Sequence, residues 1–281
     1  MNQSVRRVRI TIAILCKDNL EEFQRTLHSL LDFLSHGIRH HLEVLVVDGS
    51  LNSHILAYIN LQRAQLVPAH VEYKNTNQLG INGIYPSMNF ALDHATGQYI
   101  HFLNSGDTLI SSRLYEAPIK SISLDMLPIC YFAKACINGK YFSWVLPNIK
   151  SAAISRWLCL FEPNHQAMLV DVNWSKKFNR FALDAPIGAD AIWKRISIQH
   201  GYIYIPYPVV KFYLGGQSST YTLQRMKIKY SESWRSPIQK YLEVVKFIVF
   251  RNSLIAELLQ ATRNMIVNFI FNLTSIYEGK Q

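Results

Sequence analysis

Residues 83–109 read GIYPSMNFALDHATGQYIHFLNSGDTL, and this stretch decides the fold. Residues 84–94 read as a helix and residues 98–103 (QYIHFL) as a strand that ends in Asn104-Ser105-Gly106-Asp107. The same rhythm runs upstream. Residues 9–15 (RITIAIL) are a β-branched run, followed by Phe23, Leu27, Leu30, Leu31 and Leu34 at helical spacing. Residues 42–47 (LEVLVV) form a second strand, ending in Asp48-Gly49-Ser50. Its apolarity is continuous rather than alternating, the mark of a parallel strand covered on both faces. Residues 51–66 predict a helix, 71–73 a short strand and 111–121 another helix. Strand and helix thus alternate four times, which predicts a doubly wound α/β sheet.

Downstream the pattern is less regular. Residues 127–145 predict strands with a turn at Asn138-Gly139, residues 164–170 a strand, 171–178 a short helix and 188–200 a longer one. Residues 202–206 and 209–214 predict two strands, followed by Gly215-Gly216, an end-of-strand turn or a backbone approach to a diphosphate. From residue 222 the pattern is helical. Two units are expected: a catalytic domain over 1–220 and a basic amphipathic helical tail over 221–281.

Composition excludes several classes. Hydrophobic residues make up 49% of the 281 residues and charged residues 17%, so the chain is neither disordered nor collagen-like. Cys16, Cys130, Cys136 and Cys159 form no C-x-x-C pair, against a zinc ribbon, a thioredoxin-type site or a disulfide scaffold. Reduced thiols in a cytosolic protein are expected. The first strand is followed by no G-x-G-x-x-G, and the chain has no G-x-x-x-x-G-K-[ST], H-E-x-x-H or G-x-S-x-G, so dinucleotide, P-loop, metalloprotease and hydrolase readings lose their motifs.

The net charge is +10, and residues 222–281, with nine Lys/Arg and four Asp/Glu, carry +5 of it. This asymmetry predicts an anionic partner for the tail. The longest uncharged run there, residues 264–277, has 14 residues and three Asn, short of the roughly 20 a spanning helix needs. Neither a transmembrane helix nor an N-terminal signal is expected. The tail either covers the catalytic domain or docks on anionic lipid. Its interleaved Phe247, Phe250, Phe269, Phe271 and Tyr277 favour the lipid surface. No motif that reads nucleic acid is present.

Ligands of an open α/β sheet bind outside the carboxyl ends of its strands. Asp48 and Asp107 stand at two such ends. One carboxylate there can accept from a base or ribose, and another can hold a hard cation against a diphosphate. Both also fit as plain turn residues.

Residues 10–31, 43–53 (EVLVVDGSLNS) and above all 83–109 resemble family 2 glycosyltransferases of the GT-A fold, close to bacterial colanic-acid and O-antigen type sugar transferases. Asn164-His165-Gln166-Ala167-Met168, Gly188-Ala189-Asp190 and residues 212–219 (FYLGGQSS) fit as well, so the likeness spans residues 8–220. It implies a Rossmann-like mixed sheet with helices on both faces plus C-terminal helices. It also implies a nucleotide-sugar donor, taken as a UDP-sugar, and an inverting hexosyl or N-acetylhexosaminyl transfer to a saccharide or polyprenyl-linked hydroxyl in surface polysaccharide synthesis. The location implied is the cytoplasmic face of the inner membrane, held peripherally.

The resemblance also distributes roles. Asp48, Tyr85, Asn89 and Asn104 fall on the nucleotide-sugar side. Asp107 takes the place of the metal acid for Mg²⁺ or Mn²⁺, with His165 a weaker candidate for the ion or for an acceptor contact. Asp190 takes the place of the general base, its rivals being Glu162, Asp171 and Asp184 and its plain alternative an acid stabilised at a helix start. Two departures stand out: Asn104-Ser105-Gly106-Asp107 keeps one acid of the metal motif, and Pro86 replaces the usual Asp. They leave a non-catalytic GT-A-like module, binding nucleotide sugar or a partner enzyme, as the alternative.

Overall fold

The computed structural model describes residues 10–34, 42–66, 70–115, 127–137, 143–146, 163–185 and 188–214, with positions 227, 237, 240, 241 and 244 of the tail. The expectations for the Asn138-Gly139 turn, Cys159, Glu162, Gly215-Gly216 and nearly all of the tail lie outside these residues.

The first half builds a parallel sheet. Strand β1 (Ile10–Cys16) leads into α1 (Leu20–Leu34), and β2 (Leu42–Asp48) into α2 (His54–Leu61) and α3 (Arg63–Leu66). Next come β3 (His70–Asn75), α4 (Ile84–His94), β4 (Tyr99–Asn104) and the two-residue β5 (Thr108–Leu109). β1 lies between β2 and β4, with Cys16 in register with Asp48 and Leu15 with Asn104.

The second half extends that sheet as a mixed one. β6 (Ile129–Ile137) pairs with β7 (Ser143–Leu146), and β8 (Met168–Asp171) is preceded by a 3₁₀ turn at His165–Ala167. Helices α5 (Val172–Phe178) and α6 (Ala189–Ile198) follow, then β9 (Ile203–Leu214). Among the described residues the order is β3-β2-β1-β4-β8-β6-β9-β5, with β7 beside β6. β8 runs against both β4 and β6, while β6 and β9 run parallel to each other on its far side. Where two strands are expected, over 202–206 and 209–214, residues 203–214 form one long strand whose pairing with β6 shifts register around Phe132. Pro206 and Pro208 explain why the sequence reads as broken there, since proline withholds a ladder donor. The strand expected over 164–170 is shorter: Asn164 caps a 3₁₀ turn at His165–Ala167 by accepting from the Gln166 N–H, and the strand starts at Met168.

Two cores sandwich the sheet. Ile10, Ile12 and Ile14 of β1 pack with Phe23, Leu27 and Leu30 of α1 and with Val44 and Val46 of β2. Ala13 and Leu15 face the other way, onto Met88, Ala91 and Leu92 of α4 and Trp193 of α6. Every residue of β1 and β2 is buried, as continuous apolarity predicts. Each Ile or Leu buried in this way contributes roughly 1.5–3 kcal/mol. The two layers therefore fix the carboxyl ends of β1, β2 and β4 as a rigid rim on which the loops are mounted.

Candidate active site

Asp48, Asn104, Asp107, Tyr85, His165 and Asp190 all sit at or beside that rim. The main chain ties its parts to β1: the Gly49 N–H donates to the Cys16 carbonyl at 2.9 Å, and the Ser105 N–H donates to the Leu15 carbonyl at 2.8 Å. Asp48 and the 104–107 loop thus flank one strand end, two strand spacings or about 10 Å apart.

Asp48 is fully buried. Its carboxylate accepts from the Ser50 N–H at 2.8 Å and from the Tyr73 hydroxyl at 2.7 Å, and its main-chain oxygen accepts from the Thr76 N–H. Burial, then the bond to Asp48, pushes the Tyr73 phenol up to about 12, so Tyr73 stays a donor. Asp48 thus organises the turn after β2 and the start of the β3–α4 loop.

The loop after β4 is built differently. Gly106 has φ +97°, a left-handed conformation that favours glycine, and a side chain there would meet Glu22 and Arg25 of α1 at 3.3 Å. The Arg25 Nε donates to the Gly106 carbonyl at 2.8 Å while its guanidinium lies over the Tyr213 ring at 4.6 Å. Asp107 is 5% exposed. One of its carboxylate oxygens accepts from the Tyr213 N–H at 2.7 Å, the other from Gln166 Nε2, and its carbonyl accepts from the Thr26 hydroxyl. Burial pushes the Asp107 carboxyl up to about 7, against the opposing pull of the Tyr213 and Gln166 donors and Arg25.

Gln166, completely buried, joins this loop to the 3₁₀ turn. Its Oε1 accepts from the Asn104 N–H at 3.0 Å while its Nε2 donates to Asp107. Its carbonyl accepts from His101, whose imidazole burial lowers to about 4. A neutral His101 must then donate from Nε2 to Gln166 and accept the Tyr115 hydroxyl proton at Nδ1.

The third part is the start of α6. Gly188, with φ +97°, turns the chain so that Asp190 falls in the first helical turn. The Tyr85 hydroxyl donates to Asp190 Oδ1 at 3.1 Å and accepts from the Gly188 N–H at 3.0 Å. His165 Nδ1 lies 3.6 Å from Asp190 Oδ2. Burial alone would raise the Asp190 carboxyl. Lys194 one helical turn on, His165 and the Tyr85 hydroxyl outweigh it and hold the group below the usual carboxylate range. Burial lowers His165 to about 4, so near neutral pH an anionic Asp190 faces a neutral imidazole. The Asp190 side chain remains 29% exposed.

The expected residues therefore divide. Tyr85, His165 and Asp190 come together as one cluster. Asn89 lies apart from it, its amide exchanging two 2.9 Å bonds with the backbone of Phe181. Of the rival bases, Asp171 caps α5 and pairs with Tyr99 at the far end of β4, and Asp184 lies exposed in the α5–α6 loop. Sequence reasoning missed Gln166 and His101 as site-building residues. A polar side chain inside an apolar strand was the one signal for His101. Among the described residues, three buried polar atoms in this region have no partner: Asn104 Oδ1, Ser105 Oγ and His165 Nε2. Such atoms are commonly satisfied by ligand or water.

A divalent ion at Asp107 does not fit this donor set. Both carboxylate oxygens are taken by N–H donors, the group is desolvated, and Arg25 already brings a cation to the loop. The orphaned Asn104 Oδ1 is a neutral ligand and supplies no compensating charge. Among the described residues, the one trio of suitable side chains is Glu43, His70 and Glu72. It sits at the amino ends of β2 and β3, away from this rim, and Glu43 there already accepts from Thr11 and Thr96.

No protein-family model and no curated protein sequence matches the chain. Solved structures do. The S. aureus TarS 1–349 complex with UDP-GlcNAc superimposes with a TM-score of 0.60 at 15% identity, over 86% of this chain and 72% of that one. The mannosyltransferase PcManGT from Pyrobaculum calidifontis, in complex with GDP-Man and Mn²⁺, gives 0.54 at 13% identity, over 86% and 70%. Against the longer TarS chain the TM-score is 0.55, and the present chain spans 43% of its length. At these identities the likeness is one of architecture: an α/β mixed sheet with helices, of GT-A type.

Proposed function

We propose that the chain is a glycosyltransferase that moves a sugar from a nucleotide-diphosphate donor to an acceptor hydroxyl, with Asp190 as the base. The observation that carries this is the Asp190 carboxylate, held anionic between Tyr85 and His165 and partly open at the rim where this fold binds ligands. The acceptor O–H gives its proton to Asp190 while its oxygen bonds to the anomeric carbon. The bond from that carbon to the diphosphate breaks, and the nucleoside diphosphate leaves with the electron pair. Attack opposite the leaving group makes the transfer inverting.

TarS is complexed with UDP-GlcNAc and PcManGT with GDP-Man, which supports a nucleotide sugar as the donor, with UDP preferred. A hexosyl or N-acetylhexosaminyl group and a saccharide acceptor, polyprenyl-linked in surface polysaccharide synthesis, extend the resemblance of residues 83–109. Among the described residues no helix is long and apolar enough to cross a membrane. Attachment to the inner-membrane surface rests on the basic tail read from sequence. A divalent ion, Mg²⁺ or Mn²⁺, would offset charge on the departing diphosphate. The set around Asp107 does not fit one.

That occupied acid also favours a second reading, a GT-A-like module that binds nucleotide sugar without turning it over. Calorimetry with UDP and GDP, followed by hydrolysis and transfer assays with UDP-GlcNAc and GDP-Man, separates the two. Turnover in the wild type that is lost in Asp190→Asn with donor affinity retained supports the transferase. Donor binding with no turnover on any acceptor supports the module, and no binding to any nucleotide defeats both.

A further inference from the structure

Tyr85 was expected on the donor side of the site, yet the structure uses its hydroxyl internally. The oxygen accepts the Gly188 N–H at 3.0 Å, and the proton is directed to Asp190 Oδ1 at 3.1 Å. Burial, then the Asp190 charge, raises the phenol well above its ordinary value, so the hydroxyl keeps its proton and remains a donor.

The ring that carries this hydroxyl is braced. It stacks on Phe181 at a centroid distance of 6.1 Å and 11°, and Phe181 stacks on Trp193 of α6 at 5.0 Å and 12°. Phe102 of β4 closes edge-on against Phe181 and Trp193. Phe181 is itself fixed to α4 by the reciprocal bonds from Asn89, one turn beyond Tyr85. A rigid path therefore runs from the first turn of α4 through three aromatic rings to α6, and the tyrosine oxygen closes it at the Gly188 turn. Gly188 needs such a tether, since its left-handed conformation starts the helix without a capping side chain.

We propose that Tyr85 is a positioning residue. Its hydroxyl bridges the Gly188 turn and the Asp190 carboxylate, fixing the rotamer of the proposed base relative to the sheet. This role rests on the transferase reading for its kinetic consequence and on geometry alone for the bridge. Among the described residues, the charged or titratable groups facing Asp190 each have a part: Tyr85 from α4 holds Oδ1, His165 from the 3₁₀ turn flanks Oδ2, and Lys194 on α6 supplies charge. Of these, Tyr85 alone also holds the backbone that carries the base.

Tyr85→Phe is the test, because it keeps the stacked ring and removes the one oxygen. In the full-length protein the Gly188 amide should exchange with solvent faster, by about tenfold, while the melting temperature moves little. In transfer assays kcat should fall by about tenfold or more with donor KM within twofold, and the acid limb of the kcat profile should move to higher pH as Asp190 loses a donor. A raised donor KM with unchanged kcat would make Tyr85 a donor contact and overturn the proposal, as would unchanged exchange at Gly188. If the wild type turns over no donor, the transferase reading fails by itself, and the Gly188 exchange rate still decides whether the bridge exists.

Discussion

Replacing Gln166 by Leu tests whether the loop after β4 is held as described. The two side chains have similar size and the site is completely buried, so the change removes hydrogen bonds while nearly preserving volume. Two partners are left behind. The Asn104 N–H loses Gln166 Oε1, and Asp107 loses the Nε2 donor on one carboxylate oxygen. An unsatisfied buried amide costs about 1–3 kcal/mol, and loss of a donor to a charged group about 1.5–3. The total of roughly 3–5 kcal/mol corresponds to a fall in melting temperature on the order of 10 °C for a domain of this size.

The pH dependence of that loss is the sharper signature. Asp107 is an acid whose folded-state value is raised, to about 7. The folded protein then holds its proton across a window in which the unfolded chain has released it. Stability from this group is complete at acid pH, declines as pH rises from the unfolded carboxylate value towards 7, and stays low above. Removing the Gln166 donor raises the folded value further. At pH 5 Asp107 is protonated in both proteins, so the variant's deficit is mainly the Asn104 amide. At pH 8.5 the wild-type carboxylate is ionised, and the deficit grows by the lost charge-assisted bond. Differential scanning calorimetry at the two pH values, with both proteins refolding reversibly, reads this directly. A deficit equal at both, or a melting temperature within about 3 °C of wild type throughout, refutes the latch.

Asp190→Asn should lower transfer by about 10²–10⁴-fold, the range for a lost general base, with the melting temperature nearly unchanged. The wild-type acid limb should fall below the ordinary carboxylate range, because the folded value of Asp190 is depressed and activity disappears only as pH drops through it. Chelation by EDTA should leave nucleotide affinity, measured by calorimetry, within about twofold; a tenfold loss restored by Mn²⁺ contradicts the account of Asp107. Gly188→Ala should destabilise by roughly 1–2 kcal/mol through its positive φ and should lower kcat more than it changes donor affinity, since the turn carries Asp190.

The parallel half of the sheet was legible because its determinants are local. Continuous apolar runs name strands covered on both faces, and helical spacing names their partners, so β1, β2 and β4 and their helices could be placed from residue pattern alone. The mixed half was not. β8 joins β4 through two register pairs, Tyr99 with Asp171 and Ile100 with Val170, some seventy residues apart in the chain. Nothing in either segment states which edge it will meet. The placement of Asp171 as a helix cap at the wrong end of β4 follows from that pairing, and the sequence could only hold it as a rival base.

The site was legible as a location and only partly as chemistry, for a related reason. Position follows from where strands end for Asp48 and Asp107, and for Asp190 from the family resemblance alone. Role follows from what each oxygen meets, and those partners are remote. Asp107 is answered by Gln166 and Tyr213, Asp190 by Tyr85 and His165. Three carboxylates with the same residue-level credentials end as a turn organiser, a buried latch and a partly exposed anion. The difference lies in how many donors each has already accepted. Asp48 and Asp107 have both oxygens bonded by firm donors inside the protein. Among the described residues, Asp190 has one oxygen bonded by the Tyr85 hydroxyl, and the other faces an imidazole 3.6 Å away, beyond a good hydrogen bond. An acceptor hydroxyl arriving at that oxygen would supply the missing donor, which is what a general base in the ground state requires.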